Sequence, residues 1–197
     1  TPVAKVKAGR AMALQIKGKG VAKMDVASAR ASIMASVERV DATIQAAAGW
    51  LGGDLSIVVL PEYFLSGYPI GDTIAAWAEK GAIAHDGPEY EALCATAQKN
   101  KVYLSGNTYE LDPNFPGIYF QACFIIDPSG ELVHRYRRMH SMFSPSPWDY
   151  WDKYIDIYGA ENVFPVTHTE FGNLATIASE EIQYPEVARA LEIGRAH

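Results

Sequence analysis

The run Leu55-Ser56-Ile57-Val58-Val59-Leu60, closed by Pro61-Glu62, constrains this chain more than any other feature. It is too short for an amphipathic helix and too continuously apolar for a strand with one wet face. It predicts a β-strand covered on both faces, the kind found in layered α/β proteins. The flanking segments fit that class. Residues 11–16 read as an earlier strand, and residues 25–50 as a helix whose Ile33, Val37, Val40 and Ile44 form one apolar stripe. Gly52-Gly53 is expected to stop that helix.

Further along, Asp72 after Gly71 predicts the N-cap of a second helix, and Pro88 the first turn of a third, over residues 88–100. Residues 102–106 read as another buried strand. Two more strands, over 118–126 and 131–138, flank Asp127-Pro128-Ser129-Gly130, a Pro/Gly turn that predicts a hairpin. The aromatic, acidic segment 141–162 is expected to be a long loop with a short helix, placed as a lid over a pocket or as plain surface packing. A last buried strand is expected over 174–178, and a helix from Pro185 to about residue 193. No solenoid or propeller period is present.

Composition excludes some partners. With 17 basic against 23 acidic residues the formal charge is −6, which argues against nucleic acid and anionic membrane surfaces. The cluster His134-Arg135-Tyr136-Arg137-Arg138 is too short to reverse that. Residues 1–20 carry no apolar signal-peptide core and no stretch that could span a membrane, so a cytoplasmic protein is expected. Cys94 and Cys123 have neither metal nor redox spacing and read as buried, inert thiols. The five histidines are dispersed, without metal-ligand spacing, and no phosphate-binding or dinucleotide-binding glycine loop occurs.

Three polar groups stand at predicted strand ends, where α/β proteins mount their chemistry: Glu62, Arg138 and Ser179. A carboxylate held beside a buried run is raised in pKa by desolvation and suits a general base. The plainer reading of Glu62 is a capping or ion-paired glutamate. For Arg138 it is a solvated arginine at a hairpin end. Ser179 has the strand–turn–helix setting of a nucleophile, yet lacks the flanking glycines and a histidine nearby in sequence, so an ordinary turn serine competes.

Taken together, these segments resemble the nitrilase superfamily of carbon–nitrogen hydrolases. The block Leu60-Pro61-Glu62-Tyr63-Phe64-Leu65-Ser66-Gly67-Tyr68 is similar to the one carrying the family's glutamate base. Arg135-Tyr136-Arg137-Arg138-Met139-His140 is similar to its tyrosine–arginine–lysine run, with Arg138 at the lysine position. Ser179-Glu180-Glu181-Ile182-Gln183-Tyr184-Pro185-Glu186-Val187-Ala188-Arg189 follows the nucleophile block in every element but the first, where the family has cysteine. Gly172-Asn173 and Gly194-Arg195-Ala196 also fit. Asp152 falls where the family places a supporting glutamate, if 152–159 is aligned without gaps.

The resemblance implies a four-layer αββα sandwich, one domain over 1–197 with its C-terminal part missing from this chain. A sheet edge and apolar surface left bare by that loss would be an aggregation hazard. It also implies amide or nitrile hydrolysis through a covalent acyl-enzyme, with a small amide or nitrile-like molecule as partner, a homodimer or higher homo-oligomer, no metal and no organic cofactor. With serine and arginine in the cysteine and lysine positions, it implies an amidase-like protein of weak or absent activity. The alternative is a pseudoenzyme serving as a ligand-binding, regulatory or structural subunit. Changes at 138, 152 and 179 together fit natural divergence better than one engineered cysteine-to-serine change.

Overall fold

The computed structural model describes residues 6–51 and 54–195. Six strands form one mixed sheet: β1 (Arg10–Ala13), β2 (Leu55–Val59), β3 (Ala82–Ala84), β4 (Tyr103–Leu111), β5 (Phe120–Ile126) and β6 (Leu132–Arg137). The order is β1-β2-β4-β5-β6, with β3 paired to β4. Strands β1, β2 and β4 run parallel, whereas β4, β5 and β6 are antiparallel neighbours. Helices α1 (Val26–Leu51), α2 (Ile74–Lys80) and α3 (Pro88–Asn100) connect the early strands.

The predicted stripe of α1 is its buried face: Ile33, Val40 and Ile44 are fully enclosed and Val37 is nearly so. Together with Tyr90, Leu93 and Ala97 of α3, this stripe joins a core that also contains Val58, Leu104, Phe124 and Ile126 of the sheet. Helix α3 has Pro88 at its start and ends at Lys101, which adopts a left-handed conformation (φ 55°) and donates its backbone N–H to the Ala97 and Gln98 carbonyls.

Strand β4 organises the site. Strand β5 takes one of its edges along Leu104–Glu110. The other edge is shared, with β2 at Tyr103–Ser105 and β3 at Tyr109–Leu111. A gap is left at Gly106-Asn107-Thr108, and there the chain leaving β2 turns away from the sheet. Asn107 Oδ1 fills the gap by accepting the Tyr63 backbone N–H at 2.7 Å. Gly106 is required beside it, because a Cβ there would stand 2.9 Å from the Phe124 ring and 3.2 Å from that of Phe64.

A buried ionic network braces the far end of β4. Arg137 donates through Nε and Nη2 to Glu110 Oε1 at 3.0 and 2.7 Å, and its Nη1 lies 2.6 Å from Asp112 Oδ2. The guanidinium is also sandwiched near the rings of Phe120 (4.6 Å) and Tyr158 (4.9 Å). Tyr158 belongs to α4 (Trp151–Tyr158) and donates its hydroxyl to Asp112. Strand β4, strand β6 and the 141–162 segment are thereby tied together by charge-assisted bonds.

Several expectations are corrected. The α/β class holds, but the expected second sheet of the sandwich is represented, among the described residues, by one hairpin of β7 (Thr167–Thr169) and β8 (Gly172–Leu174). Consequently β2 is not covered on both faces: Val58 is enclosed against the helices, whereas Val59 is 44% exposed. The strand expected over 174–178 stops at Leu174, since residues 175–178 have no ladder partner among the described residues. The second helix is capped by Thr73, whose hydroxyl accepts from Ala76 N, and not by Asp72, which pairs with Lys80 instead. Strand β3 had no sequence signal. Residues 1–5, Gly52-Gly53, Ala196 and His197 lie outside the described residues.

Candidate active site

Glu62 leaves β2 at an exposed position, so the desolvated setting read from the sequence is not found. Its Oε2 accepts the Tyr68 hydroxyl at 3.1 Å. The next residue, Tyr63, has φ 46°, a left-handed conformation uncommon for a bulky side chain. That twist carries the Tyr63 ring onto Tyr109, stacked at 4.2 Å and 7°. Its hydroxyl accepts from Arg138 Nη1 at 3.3 Å.

Arg138 follows β6 directly and is buried, its backbone N–H donating to the Gln121 carbonyl. Alternation along the strand sends Arg137 into the ionic network and Arg138 to the opposite side. The Arg138 guanidinium lies 2.5 Å from Glu180 Oε1 and donates to the His140 carbonyl at 3.2 Å. Burial pushes the Glu180 carboxyl up, but its own backbone N–H, the Ser179 hydroxyl and Arg138 outweigh this and hold it below the ordinary glutamate value.

Ser179 opens a 3-10 turn, Ser179–Gln183, that leads into α5 (Pro185–Arg195). It too is left-handed, with φ 57°, a conformation that costs a non-glycine residue roughly 1–2 kcal/mol. Of the three non-glycine residues with positive φ among those described, two, Tyr63 and Ser179, line one cavity. Strain of that kind persists where surrounding contacts over-determine it. The contact here is Glu181, which is fully buried. Its Oε1 accepts the Met139 and His140 backbone N–H groups, each at 2.9 Å, and its Oε2 accepts the Tyr136 hydroxyl at 2.9 Å.

Ser179 lines two cavities. The first, of about 370 Å³, also has Glu62, Asn107, Cys123 and Thr176 on its walls. The second, of about 430 Å³, has Arg138, Gln121, Glu180 and a set of aromatic rings. Thus Glu62 and Arg138 meet Ser179 from different sides. Asp152 lies exposed in the first turn of α4 and lines neither cavity. From the 141–162 segment only Phe143 and Ser144 reach the second cavity. Cys123 is buried as expected, and burial pushes its thiol up to about 12, which keeps it protonated. No group of three or more His, Cys, Asp or Glu side chains that could hold a metal occurs among the described residues. No helix among them is long and apolar enough to cross a membrane.

Comparison with known proteins decides the family. The carbon-nitrogen hydrolase model matches residues 20–196. The chain belongs to the carbon-nitrogen hydrolase family. A Pseudomonas protegens protein described as "Hydrolase in pqqF 5'region" is 31% identical over 152 residues, covering 73% of this chain and 46% of that protein. A Bacillus cereus formamidase is 27% identical over 165 residues, covering 83% of this chain and 46% of its own length. The chain therefore spans about half the length of these relatives. In fold it is similar to Nit3 of Saccharomyces cerevisiae, a member of branch 10 of the nitrilase superfamily, with TM-score 0.62 and 22% identity over 83% of this chain and 56% of that one.

A histidine that the sequence left unassigned helps to hold the segment before Ser179. His134 is buried between two threonines, Nδ1 2.9 Å from Thr167 Oγ1 and Nε2 2.9 Å from Thr176 Oγ1. Thr167 spends its hydroxyl hydrogen on the Val133 carbonyl, so it accepts from His134 Nδ1–H, and Nε2 accepts from Thr176. The unpaired segment 175–178 is thereby pinned to β6, just before Ser179. Burial pushes the His134 imidazole down to about 4. The unfolded chain, near 6.5, then binds the proton first, so stability is full above about pH 6.5 and falls as pH drops towards 4. In His134→Gln that slope between pH 6.5 and 4.5 flattens, read as the change in Tm with pH against the unaltered chain. Parallel slopes would contradict the assignment.

Proposed function

We propose that this protein is an amide-directed carbon–nitrogen hydrolase of low turnover, in which Ser179, Arg138 and Glu62 stand in the positions of nucleophile, charge-stabilising cation and general base. The observation that carries the reading is the left-handed Ser179 at the head of a turn bolted by Glu181, facing Glu62 in one cavity and Arg138 in the other. In this reading Ser179 Oγ attacks the amide carbon and its proton passes to Glu62. The charge that develops on the carbonyl oxygen is met by Arg138. As the C–N bond breaks, Glu62 returns the proton to the leaving ammonia or amine. Water, losing a proton to Glu62, then attacks the ester carbon; as the C–Oγ bond breaks, Glu62 returns that proton to Ser179 Oγ and the acid leaves.

Low turnover follows from the residues. A serine hydroxyl is far less acidic than a thiol, and glutamate is a weak base for it. Arg138 is already engaged by Glu180, Tyr63 and His140. Those same engagements favour a second reading, a pseudoenzyme that binds a small amide or nitrile and does not cleave it. Ammonia release from a panel of small amides, with mass spectrometry for an acyl adduct on Ser179, separates the two. The hydrolase reading expects slow ammonia release and a Ser179 adduct. Ligand binding with neither product sinks it in favour of the second. A homo-oligomer of single domains acting in the cytoplasm completes the proposal.

A further inference from the structure

The larger of the two site cavities has a chemistry that a minimal amide leaves unused. Its walls include the rings of Tyr63, Tyr68, Tyr109, Tyr119 and Phe143. Tyr109 stands edge-on to Tyr119 at 5.1 Å while stacking on Tyr63, so three rings form one rigid face. On the wall of this space lies Gln121, only 9% exposed, whose side-chain amide has no hydrogen bond among the described residues. Its Oε1 is enclosed without a partner. Buried amides are normally paired, and an unpaired one facing a cavity marks a place for a ligand's polar group.

The charges on the walls are already matched. Arg138 pairs with Glu180 at 2.5 Å and Asp72 with Lys80 at 3.0 Å, so neither a cation nor an anion is called for. Size adds a constraint. At about 430 Å³ the space falls within the range of ~300–1,000 Å³ usual for small-molecule sites, whereas a water molecule takes up about 30 Å³ of liquid. An amide of three heavy atoms would leave most of it filled with water against aromatic rings.

We propose that this cavity receives an uncharged aromatic acyl group of a primary amide, its carbonyl carbon at Ser179 and a ring hydroxyl bonded to Gln121. The inference rests on the hydrolase reading only for the direction in which the amide lies. A phenolic hydroxyl both donates and accepts, and so meets either orientation of the Gln121 amide. The aromatic wall supplies apolar area and edge-to-face contacts. The site therefore selects a substrate class different from the one named in its formamidase relative.

Calorimetry on the whole chain with formamide, acetamide, phenylacetamide and 4-hydroxyphenylacetamide tests this, with ammonia release followed for each. Phenylacetamide is expected to bind at least about tenfold tighter than acetamide, from the apolar area buried. The hydroxyl adds about fivefold more, the worth of one hydrogen bond to a buried acceptor. In Gln121→Leu the affinity ratio of 4-hydroxyphenylacetamide to phenylacetamide falls to about one. Tyr109→Leu, which removes ring area beside Gln121, its neighbour across β4 and β5, narrows the phenylacetamide-to-acetamide affinity ratio, so one misfolded variant does not end the test. Acetamide or formamide binding as tightly as phenylacetamide overturns the inference, as does the absence of aromatic-amide binding or a hydroxyl gain that survives Gln121→Leu. Ammonia from formamide alone overturns it while leaving the hydrolase reading intact. Aromatic preference in binding with no ammonia from any amide supports the site and sinks the hydrolase reading.

Discussion

In the double variant Ser179→Cys with Arg138→Lys, ammonia release from a small amide is expected to rise about a hundredfold or more over the unaltered chain. A hundredfold is ~2.7 kcal/mol of barrier, and two separate changes contribute to it. A thiol titrating near ~8.5 supplies a few per cent of thiolate at neutral pH, and thiolate is intrinsically more nucleophilic than a hydroxyl. Cysteine tolerates the site, since residue 179 needs only a small side chain at φ 57°. Lysine at 138 replaces a planar fork held by Glu180, Tyr63 and the His140 carbonyl with a compact ammonium that reaches a developing oxyanion as a point charge. Ser179→Cys alone is expected to gain less, because Arg138 stays locked to Glu180. Progress curves with Glu62→Gln added as a control decide the matter. A double variant no faster than that control would remove the catalytic reading of this site.

Replacing Arg137 with alanine is expected to destabilise the fold by about 3–5 kcal/mol, the usual cost of breaking a buried ion pair from one side. Glu110 is fully buried and Asp112 nearly so; Asp112 would lose its cation and Glu110 would keep only Arg135 Nε at 3.8 Å. The loss includes the ring contacts with Phe120, Tyr154 and Tyr158. For a chain of this length each kcal/mol moves Tm by about 2–4 °C, so a fall of roughly 10 °C is expected in thermal unfolding. Arg137→Lys rescues little, since an ammonium cannot span Glu110 and Asp112 together. A loss under about 1 kcal/mol would mean that the carboxylates find water once the arginine is gone, as surface pairs do.

Legibility in the sequence followed the range of each interaction. Helix α3 was readable to both ends, because Pro88 marks its start and its turns are local. The stripe of α1 was readable because period alone placed Ile33 and its partners on one face. Strand β3 was not: three residues, Ala82–Ala84, are strand only because β4 offers them an edge. Residues 175–178 failed in the opposite way, since their largely apolar pattern suits a strand but no described neighbour completes a ladder.

For the site, Glu62, Arg138 and Ser179 were found from strand ends and a family pattern, and the fold brings all three to two adjoining cavities. Their supports were not found. Glu181 appeared in the sequence only as an acid in a pattern, and nothing local reveals that it bonds residues 136, 139 and 140. Gln121 carries no signal at all in a strand that is otherwise apolar. The pairing of Arg137 with Glu110 spans 27 residues and two strands, beyond any periodicity.

The Glu181 anchor has a consequence for motion. One carboxylate binds the backbone leaving β6 and the Tyr136 ring, so Ser179 and Arg138 are mounted on a single stiff body. Any closing of the larger cavity around a guest must then come from its opposite rim, where Ile70 and Phe143 stand 79% exposed on irregular chain. In such a closing Ser179 and Arg138 would keep their places while that rim adjusted. Side chains on that rim can therefore change without disturbing the Glu181 anchor that holds Ser179 and Arg138.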